Sequence, residues 1–428
     1  MRYIINTLGC KVNQYETQAM DALLRQRGHA PAGGGERADV VIVNTCAVTA
    51  ESGRKSRQAV RRLMGEHPGA LSVVCGCWSQ TDPQNAEELG ADIVYGSGDR
   101  AKLVEQIESA LTCREPLVCI DAPFSRKTFE ELPVGAFAEH TRAYIKIEDG
   151  CANFCSYCII PYARGRVRSL PVERAAAEAA ELQEKGFREL VVTGIEIASY
   201  GKDLPGKPDL ADVIVAMAQA APTLRIRLGS LEPTVVTEDF CRRIRGAGTV
   251  CPHFHLSLQS GSDGVLARMH RKYDTARFRE AAELLRAWFP GCGLTADLIT
   301  GFPGETEKEH RETLAFIREI GFSSMHIFPY SRRPGTAADE MPGQLTHAVK
   351  DARAAEAKAV AERMKTAWLQ SCVGQVLPVL FETESGGVSV GHGDNYALVS
   401  APGTQLRGVV RNVKISGISG EMLVGDIV

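Results

Sequence analysis

The sequence predicts an α/β protein with an N-terminal parallel α/β domain, a central open partial (β/α)6 barrel and a small C-terminal all-β barrel. Three patterns indicate this fold class. Strand and helix segments alternate over residues 1–112, strand–helix units recur between 141 and 330, and short β runs with glycine-rich turns follow residue 372. The chain has 428 residues, enough for three domains at roughly 150 residues each.

Composition narrows the classes of protein that the chain can represent. Hydrophobic residues make up 44% and charged residues 24%, which is ordinary for a globular protein. The net charge of −3 excludes a strongly basic protein that coats nucleic acid, so an RNA partner must contact local basic patches. No run of about 18 apolar residues and no secretory signal is found, so we expect a cytoplasmic protein without membrane contact. Thirteen cysteines in such a chain favour metal or thiol chemistry over disulfides.

The first domain, residues 1–112, contains three apolar segments that read as buried strands, at 3–9, 39–46 and 71–77. They end at or near Cys10, Cys46, and Cys75 or Cys77. Because parallel strands present their C-terminal ends at one edge of a sheet, we expect three thiols to converge there. Residues two apart on a strand face the same side, so strand direction does not separate Cys75 from Cys77.

The segment 113–140 has three prolines and no sustained period, which predicts a linker. Residues 141–371 then form the barrel and a trailing helix over 346–371 that Thr346 caps. Another helix begins at Pro171 and stops at Gly186. The predicted barrel strands are 143–148, 189–194, 224–230, 253–259, 294–301 and 324–330. Such barrels build their sites at the C-terminal strand ends, and residues 372–428 form the β domain.

The strongest chemical signal is the C-x3-C-x2-C spacing of Cys151, Cys155 and Cys158, directly after the first barrel strand. Three thiolates on a tight loop can hold three irons of a 4Fe–4S cluster and leave the fourth iron open to a small molecule. A ferredoxin would supply a fourth cysteine. A structural zinc site would also need a fourth ligand, and no nearby Cys or His completes such a set.

With Tyr157 before its third cysteine, this motif resembles that of the radical S-adenosylmethionine enzymes. Further stretches resemble the methylthiotransferase family within that superfamily: LGCKVNQYE (8–16), NTCAVT (44–49), GCWSQ (76–80), SLEP (230–233), HLSLQSGSD (255–263), RMHRKY (268–273), GFPGET (301–306) and PYSRRPGTAA (329–338). The C-terminal domain resembles a TRAM domain, best matched at 391–399. Because the matches cover nearly the whole chain in order, the resemblance implies a barrel of radical S-adenosylmethionine type and a TRAM barrel.

The resemblance implies two 4Fe–4S clusters, with S-adenosylmethionine as cosubstrate. The catalytic cluster is carried over to Cys151, Cys155 and Cys158, and an auxiliary cluster to Cys10, Cys46 and Cys77. Cys77 is preferred over Cys75 because residues 76–80 match the motif Gly-Cys-x-x-Gln. Candidate contacts to S-adenosylmethionine are Tyr157, Gly194, Ser230, Glu232 and Gln259.

Each of these weaker candidates keeps a structural alternative. Gly194 can serve as a plain strand-to-helix turn, and Ser230 with Glu232 as a capping pair before Pro233. Gln259 and Asp297 are inward-facing polar candidates on the fourth and fifth strands. Glu196 departs from the expected pattern and receives no role.

The implied reaction uses two molecules of S-adenosylmethionine. One methylates a sulfur at the auxiliary cluster. The other generates the radical that abstracts hydrogen from carbon 2 of an adenine, and methylsulfur is transferred to that carbon. The stretch Leu8–Glu16 resembles the clade that modifies threonylcarbamoyladenosine in tRNA. The clades for isopentenyladenosine in tRNA and for an aspartate of a small-subunit ribosomal protein remain alternatives. An electron donor such as a flavodoxin or ferredoxin is implied, and the sulfur source is left open.

A different class of function also remains, a non-catalytic iron–sulfur protein that binds RNA or transfers electrons. Three basic clusters bear on RNA binding, one of which is the pair Arg332 and Arg333. The cluster on the predicted helix 51–67 is explained by a solvated face. The cluster Arg164, Arg166 and Arg168 follows the cysteine loop, where we expect contact with tRNA phosphates. Tyr396 and Arg411 are candidates for tRNA docking by the C-terminal domain.

Overall fold

A computed structural model describes residues 1–133 and 141–428. The described residues group into two compact units. The first contains residues 1–133, 146–170 and 332–339, and the second contains residues 141–145, 171–331 and 340–428. Among the described residues, no helix combines the length and apolar character needed to cross a bilayer.

The first unit is built on a six-stranded parallel sheet with the strand order β2-β1-β3-β4-β5-β6. Its strands are β1 Arg2–Thr7, β2 Ala30–Pro31, β3 Val40–Thr45, β4 Leu71–Gly76, β5 Ile93–Tyr95 and β6 Leu117–Cys119. The helices between them are α1 Lys11–Gln26, α2 Ala50–Glu66, α3 Cys77–Thr81, α4 Pro83–Glu87 and α5 Arg100–Cys113. β3 and β4 are buried along their whole length, because helices cover both faces of the sheet.

The next segment carries the cysteine loop. It contains β7 Arg142–Lys146, β8 Glu148–Asp149, α6 Ile160–Arg164 and β9 Arg168–Ser169. β8 and β9 pair antiparallel, Glu148 with Ser169 and Asp149 with Arg168. This short ladder closes the base of the loop that carries the three cysteines.

The second unit contains the partial barrel. Its helices are α7 Val172–Glu184, α8 Leu210–Ala220, α9 Glu238–Gly246, α10 Asp263–Arg268, α11 Thr275–Trp288 and α12 Glu307–Ile320. The next helix, α13 Ala337–Glu340, begins in the segment 332–339 of the first unit. The strands are β10 Glu189–Thr193, β11 Arg225–Leu228, β12 Ser230–Leu231, β13 His253–Gln259, β14 Gly293–Thr300 and β15 Ser324–Pro329. They form two sheets, β11-β10-β7 and β12-β13-β14-β15. The pairings of β10 with β11 and from β12 to β15 are parallel, so these strands end at a common edge.

The C-terminal part of the second unit begins with the long helix α14 His347–Cys372, whose first turn is capped by Thr346 Oγ1, which accepts from Val349 N at 3.4 Å. A closed five-stranded barrel follows, in the order β16-β17-β18-β20-β19. Its strands are β16 Val376–Ser385, β17 Val388–Gly393, β18 Leu398–Pro402, β19 Val410–Ser419 and β20 Met422–Ile427.

The predicted fold class is confirmed, with two differences in detail. The first sheet gains β2, β5 and β6, which are too short to show a period, and β6 falls in the segment expected to be a linker. The third barrel strand is interrupted at Gly229, where a Cβ would lie 2.8 Å from the Val192 carbonyl oxygen. The chain therefore passes from one sheet to the other at this residue.

Candidate functional site

Three cysteines converge at the C-terminal edge of the first sheet. Cys10 precedes α1, Cys46 follows β3, and Cys77 opens α3. The loop that carries Cys10 approaches Cys46 so closely that a Cβ on Gly9 would lie 2.7 Å from the Cys46 sulfur, and Gly9 has φ +100°. Only glycine allows this approach without strain.

The electrostatics of the thiols show the same proximity. Burial raises the pKa of the Cys77 thiol, Arg164 opposes that shift, and Cys10 adds to it. Burial also raises the pKa of Cys46, and Cys77 adds to that shift. Each of the three sulfurs thus lies near the other two, with Cys10 on the exposed side.

Cys75 lies elsewhere. It is packed among the core residues of the sheet face that includes Met20 and Leu103, whereas Cys77 packs in the opposite core with Val43 and Val74. Residues two apart on a strand face the same side, but Cys75 and Cys77 do not lie on one strand, because the strand ends at Gly76, which has φ +105°. Burial raises the pKa of Cys75 to about 11, as for a structural thiol.

Arg164 connects this cysteine group to the segment that follows the C-x3-C-x2-C loop. Its Nε donates to the Cys77 sulfur at 3.2 Å, and its Nη2 donates to Asn13 Oδ1 at 3.0 Å and Glu16 Oε2 at 3.1 Å. Arg164 is fully buried, and α6 places it six residues beyond Cys158. A cation held against the sulfur complements the negative charge of a thiolate or of an iron–sulfur cluster.

Glu16 is the anionic centre of this buried group. Its carboxylate accepts from Arg100 at 2.8 Å and also from Arg164, and it lies 3.4 Å from Lys146 Nζ. Burial alone would raise the pKa of Glu16, but Arg100 and Arg164 hold it well below its ordinary value. Lys146 also reaches Asp149, at 3.1 Å, just before the cysteine loop.

The sequence analysis missed Asn13, Glu16 and Arg100. The signal for the first two is the i, i+3 spacing of Asn13 and Glu16 in the turn after Cys10, which places both on one helix face. Arg100 gives no local signal, because its burial depends on tertiary packing.

Cys151, Cys155 and Cys158 lie together on one loop between β8 and α6. Cys151 N donates to the Gly165 carbonyl at 3.0 Å, and Cys158 N donates to the Cys155 carbonyl at 2.9 Å. Gly150 enters the loop with φ +89°, where a Cβ would meet the Arg166 carbonyl oxygen at 1.9 Å. These contacts fold the loop back on its own base and bring the three thiols into one segment.

Tyr157 stands between Cys155 and Cys158 on this loop and is half-buried. The carbonyl of the neighbouring Ser156 accepts from Ala338 N at 2.7 Å, so the loop is also held by the segment 332–339 of the same unit. Phe154 is 43% exposed, and its ring lies 6.2 Å from that of Phe124.

Neither cysteine triad is prearranged for a single metal ion. In residues 1–133 and 141–428, no group of three or more His, Cys, Asp or Glu side chains is positioned to hold one ion. The donor chemistry fits iron–sulfur clusters, because each group offers three thiols near the C-terminal ends of strands.

The remaining predicted residues lie at the strand ends of the second unit. Gly194 directly follows β10, and Ser230 is exposed on β12. Gln259 ends β13 with φ +64°, a left-handed conformation that is uncommon for a residue other than glycine. Asp297 on β14 has Oδ2 at 3.3 Å from His255 Nε2.

Glu232 and Glu196 form a carboxyl pair at the same edge. Glu232 is buried, and its Oε1 lies 3.4 Å from Arg271 Nη2. Burial and the nearby Glu232 raise the pKa of Glu196 to about 7. No role was expected for Glu196, but its carboxyl group has a perturbed pKa at the C-terminal end of the barrel strands, where such groups mark functional sites.

The basic cluster after the cysteine loop does not match the expected phosphate contact. Arg164 and Arg168 are buried, and Arg168 donates to the carbonyls of Arg164 and Arg166 at 3.0 and 2.6 Å. That expectation was wrong for both residues, because the ladder at the base of the loop turns them into the core. Only Arg166 of the three is exposed.

Tyr396 is 38% exposed although its ring has neighbours within the second unit. The ring stacks on His253 at 4.5 Å and on His392 at 4.8 Å, and the Arg227 guanidinium lies 4.9 Å from its centroid. Arg411 is exposed on β19. Both candidates for tRNA docking are therefore accessible.

Family models match both regions that carry the cysteines. The radical SAM superfamily model matches residues 145–317, and the model described as uncharacterized protein family UPF0004 matches residues 2–96. The radical SAM family implies S-adenosylmethionine and a 4Fe–4S cluster, and its model spans the loop that carries Cys151, Cys155 and Cys158.

Curated relatives match nearly the whole chain. The threonylcarbamoyladenosine tRNA methylthiotransferase MtaB of Bacillus subtilis is 37% identical, over 96% of this chain and 92% of its own length. The protein of the same name from Thermotoga maritima is 35% identical over 97% and 95%. A tRNA-2-methylthio-N(6)-dimethylallyladenosine synthase from Pelotomaculum thermopropionicum is 32% identical over 97% and 95%.

A solved structure shares the fold. The radical S-adenosylmethionine methyltransferase TsrM from Kitasatospora setae aligns with a TM-score of 0.57 and 15% identity, over 91% of this chain and 80% of its own. At that identity the likeness concerns the fold alone. The full-length identity to curated relatives and the radical SAM match agree with the two cysteine motifs. The chain thus belongs to the methylthiotransferase family of radical S-adenosylmethionine enzymes and is a transferase.

Proposed function

We propose that this enzyme methylthiolates carbon 2 of N6-threonylcarbamoyladenosine beside the anticodon of tRNA, with two 4Fe–4S clusters and S-adenosylmethionine. The observation that carries the proposal is the pair of cysteine triads. One follows the strand ends of the N-terminal sheet, and the other occupies the loop between β8 and α6. A radical enzyme with a single cluster would need only the second triad.

In this proposal Cys10, Cys46 and Cys77 hold the auxiliary cluster, and Cys151, Cys155 and Cys158 hold the cluster that binds S-adenosylmethionine. The assignment of Cys77 is supported by its contact with Arg164 and its proximity to the other two thiols. Cys75 is disfavoured because its thiol points into the other core of the sheet. Arg164 would screen the negative charge of the cluster on its Cys77 side.

The cofactors supply one-electron cleavage of S-adenosylmethionine and hydrogen abstraction from an unactivated carbon. The residues of the chain bind and orient the reactants. Gly194 offers backbone at a strand end, and Tyr157, Ser230, Glu232 and Gln259 are proposed contacts to S-adenosylmethionine. The raised pKa of Glu196 keeps a large fraction of that carboxyl protonated near pH 7, so it can donate a hydrogen bond at this edge of the barrel.

The substrate is proposed from the names of the relatives. Those named for threonylcarbamoyladenosine reach 37% identity, and those named for dimethylallyladenosine reach 33%. The LGCKVNQYE stretch points to the same clade. We place the reaction in the cytoplasm, with a small electron carrier such as a flavodoxin or ferredoxin as reductant.

Mass spectrometry of tRNA nucleosides tests the substrate. The gene is expressed in a bacterial strain that makes both modified adenosines but lacks all tRNA methylthiotransferases. We expect the 2-methylthio derivative of threonylcarbamoyladenosine to appear, and the Cys151→Ala variant to give none. Appearance of only the isopentenyladenosine product would reassign the substrate. Absence of both products, with no cleavage of S-adenosylmethionine by the reduced protein, would favour a non-catalytic iron–sulfur protein.

A further inference from the structure

Two arginines of the first unit converge on a point beside the Cys46 site. A Cβ placed on Gly53, in the first turns of α2, would lie 3.7 Å from Nη1 of Arg57, 3.7 Å from Nη1 of Arg333 and 3.7 Å from Cδ1 of Trp78. The Arg57 guanidinium also lies 5.9 Å from the centre of the Trp78 indole. Residues distant in sequence thus bring two guanidinium groups and an aromatic edge together.

Among the described residues, neither arginine forms an ion pair. Arg333 Nε is buried without a hydrogen-bond partner. The Asp82 carboxylate acts electrostatically on Arg333 without forming an ion pair with it, and it accepts from Asn85 at 2.8 Å. The charges of Arg57 and Arg333 repel each other, and an anionic ligand between them would relieve that repulsion.

The surroundings favour an anion. The site lies at the N-terminal end of α2, a 17-residue helix whose first turn is capped by Thr49 and whose dipole is positive there. Guanidinium groups bind carboxylate and phosphate oxygens in a planar, bidentate geometry. Cys46 lies close enough to Arg333 for the charges of the two side chains to interact.

We propose that Arg57 and Arg333 bind an anionic oxygen group of the RNA substrate next to the auxiliary cysteine site. This inference rests on the proposed function, which supplies the RNA. Two groups on that substrate share the required chemistry, the carboxylate of the threonylcarbamoyl modification and a backbone phosphate near the modified base. The site would position the adenosine against the methylthio donor.

Arg332 provides a matched control in the same segment. It is adjacent in sequence and more exposed, but its Nε already donates to Asp339 Oδ1 at 2.7 Å and its Nη2 to the Asp339 carbonyl at 2.8 Å. Loss of Arg332 removes one surface charge without removing a guanidinium from the proposed site.

The test is the affinity of the full-length, cluster-loaded protein for two fluorescent anticodon stem–loop RNAs, one with threonylcarbamoyladenosine and one with plain adenosine. Arg333→Gln and Arg57→Gln should each weaken binding about tenfold or more, and Arg332→Gln should change it less than about twofold. Iron content equal to that of the parent shows that each variant is folded and loaded.

The two RNAs distinguish the source of the anion. A loss of affinity confined to the modified RNA identifies the carboxylate. An equal loss of affinity for both RNAs, with the slope of log affinity against log salt concentration reduced by about one, identifies a phosphate. Parent-like affinity of both Arg333→Gln and Arg57→Gln for both RNAs would overturn the site. Failure of the parent protein to bind either RNA would instead overturn the proposed tRNA substrate, and this ligand with it.

Discussion

At the scale of single residues, Glu16 holds the largest concentration of buried charge in the first unit. Its carboxylate accepts from both Arg100 and Arg164, and Arg164 in turn contacts the Cys77 sulfur. Breaking a buried ion group by removing one partner leaves uncompensated charge, which costs about 3–5 kcal/mol. Glu16 therefore supports both the stability of the unit and the position of Arg164.

Glu16→Gln should lower the melting temperature by roughly 5 °C or more and reduce iron bound at the auxiliary site. The measurement is thermal unfolding with iron analysis under anaerobic conditions. The control is Glu66→Gln, which removes an exposed partner of Arg62 and should cost less than about 1 kcal/mol. Equal behaviour of the two variants would contradict the role given to Glu16.

The low pKa of Glu16 also sets a pH dependence. Because its folded pKa lies below the unfolded value of about 4.3, its contribution to stability is present above that value and is lost as the pH falls. The parent should therefore lose more stability than Glu16→Gln as the pH falls from about 5 to about 3, as followed by circular dichroism. A parallel loss in both proteins would exclude Glu16 as the titrating group.

Glu196 titrates in the opposite sense. Its pKa is raised to about 7, so the folded state favours the protonated form, and this contribution is lost as the pH rises from about 4.5 through 7. Glu196→Gln should raise the melting temperature relative to the parent at pH 8 and leave it nearly unchanged at pH 5. An equal shift at both pH values would show that the carboxyl group titrates normally.

Cys151, Cys155 and Cys158 could be selected from their local spacing, whereas Cys10, Cys46 and Cys77 were selected because the surrounding stretches resemble the family. Arg164 could not be assigned, because its burial depends on the pairing of β8 with β9 and on contact with α1. The expected phosphate contact of Arg164 and Arg168 was wrong for the same reason. A run of arginines has the same sequence pattern whether it lies on the surface or in a buried network.

At the scale of elements, two glycines control how the cysteine segments leave their strands. Gly76 turns the chain from β4 into α3, which separates Cys75 from Cys77 onto opposite sides of the sheet. The rule that residues two apart on a strand face the same side does not hold for Cys75 and Cys77, because β4 ends at Gly76, one residue earlier than the apolar pattern predicts. The helix-capping signals, by contrast, were readable, as Thr346 before α14 shows.

Gly150→Ala should destabilise the cysteine loop and lower iron at the 151/155/158 site. A Cβ there would overlap the Arg166 carbonyl oxygen at 1.9 Å, in addition to the strain of φ +89°. Gly186→Ala is the matched control, with the same φ of +89° but nothing within 4 Å of the added methyl, and should cost only about 1 kcal/mol. Iron content of the two variants distinguishes them, and full iron in Gly150→Ala would refute the steric argument.

At the scale of the whole molecule, the second unit joins its small barrel to the parallel sheet through Glu189 and two arginines. Arg227 donates to Glu189 at 2.8 Å and to the carbonyls of Asp394 and Gly393 at 2.9 and 3.1 Å. Arg225 donates to Glu189 and to the carbonyls of Pro378 and His392. Sequence patterns predicted both bodies, but not these contacts, because they join residues more than 150 positions apart.

Arg227→Met should loosen this attachment while the clusters remain. Removing the guanidinium leaves Glu189 short of one cation and two carbonyls without a donor, which costs about 2–4 kcal/mol. Hydrogen exchange should rise in β16–β18, and iron content should stay at the parental value. Arg242→Met, which removes an exposed partner of Asp239, should leave exchange unchanged. Protection of β16–β18 equal to that of the parent would contradict the proposed attachment.

The proposed chemistry requires two independent iron–sulfur clusters in one chain. Iron and sulfide analysis with Mössbauer spectra counts them in the anaerobically reconstituted protein and in its Cys151/Cys155/Cys158→Ala variant. We expect about eight irons in the parent and about four in the variant. Four irons in the parent and none in the variant would mean that Cys10, Cys46 and Cys77 hold no cluster, and the proposed function would be wrong.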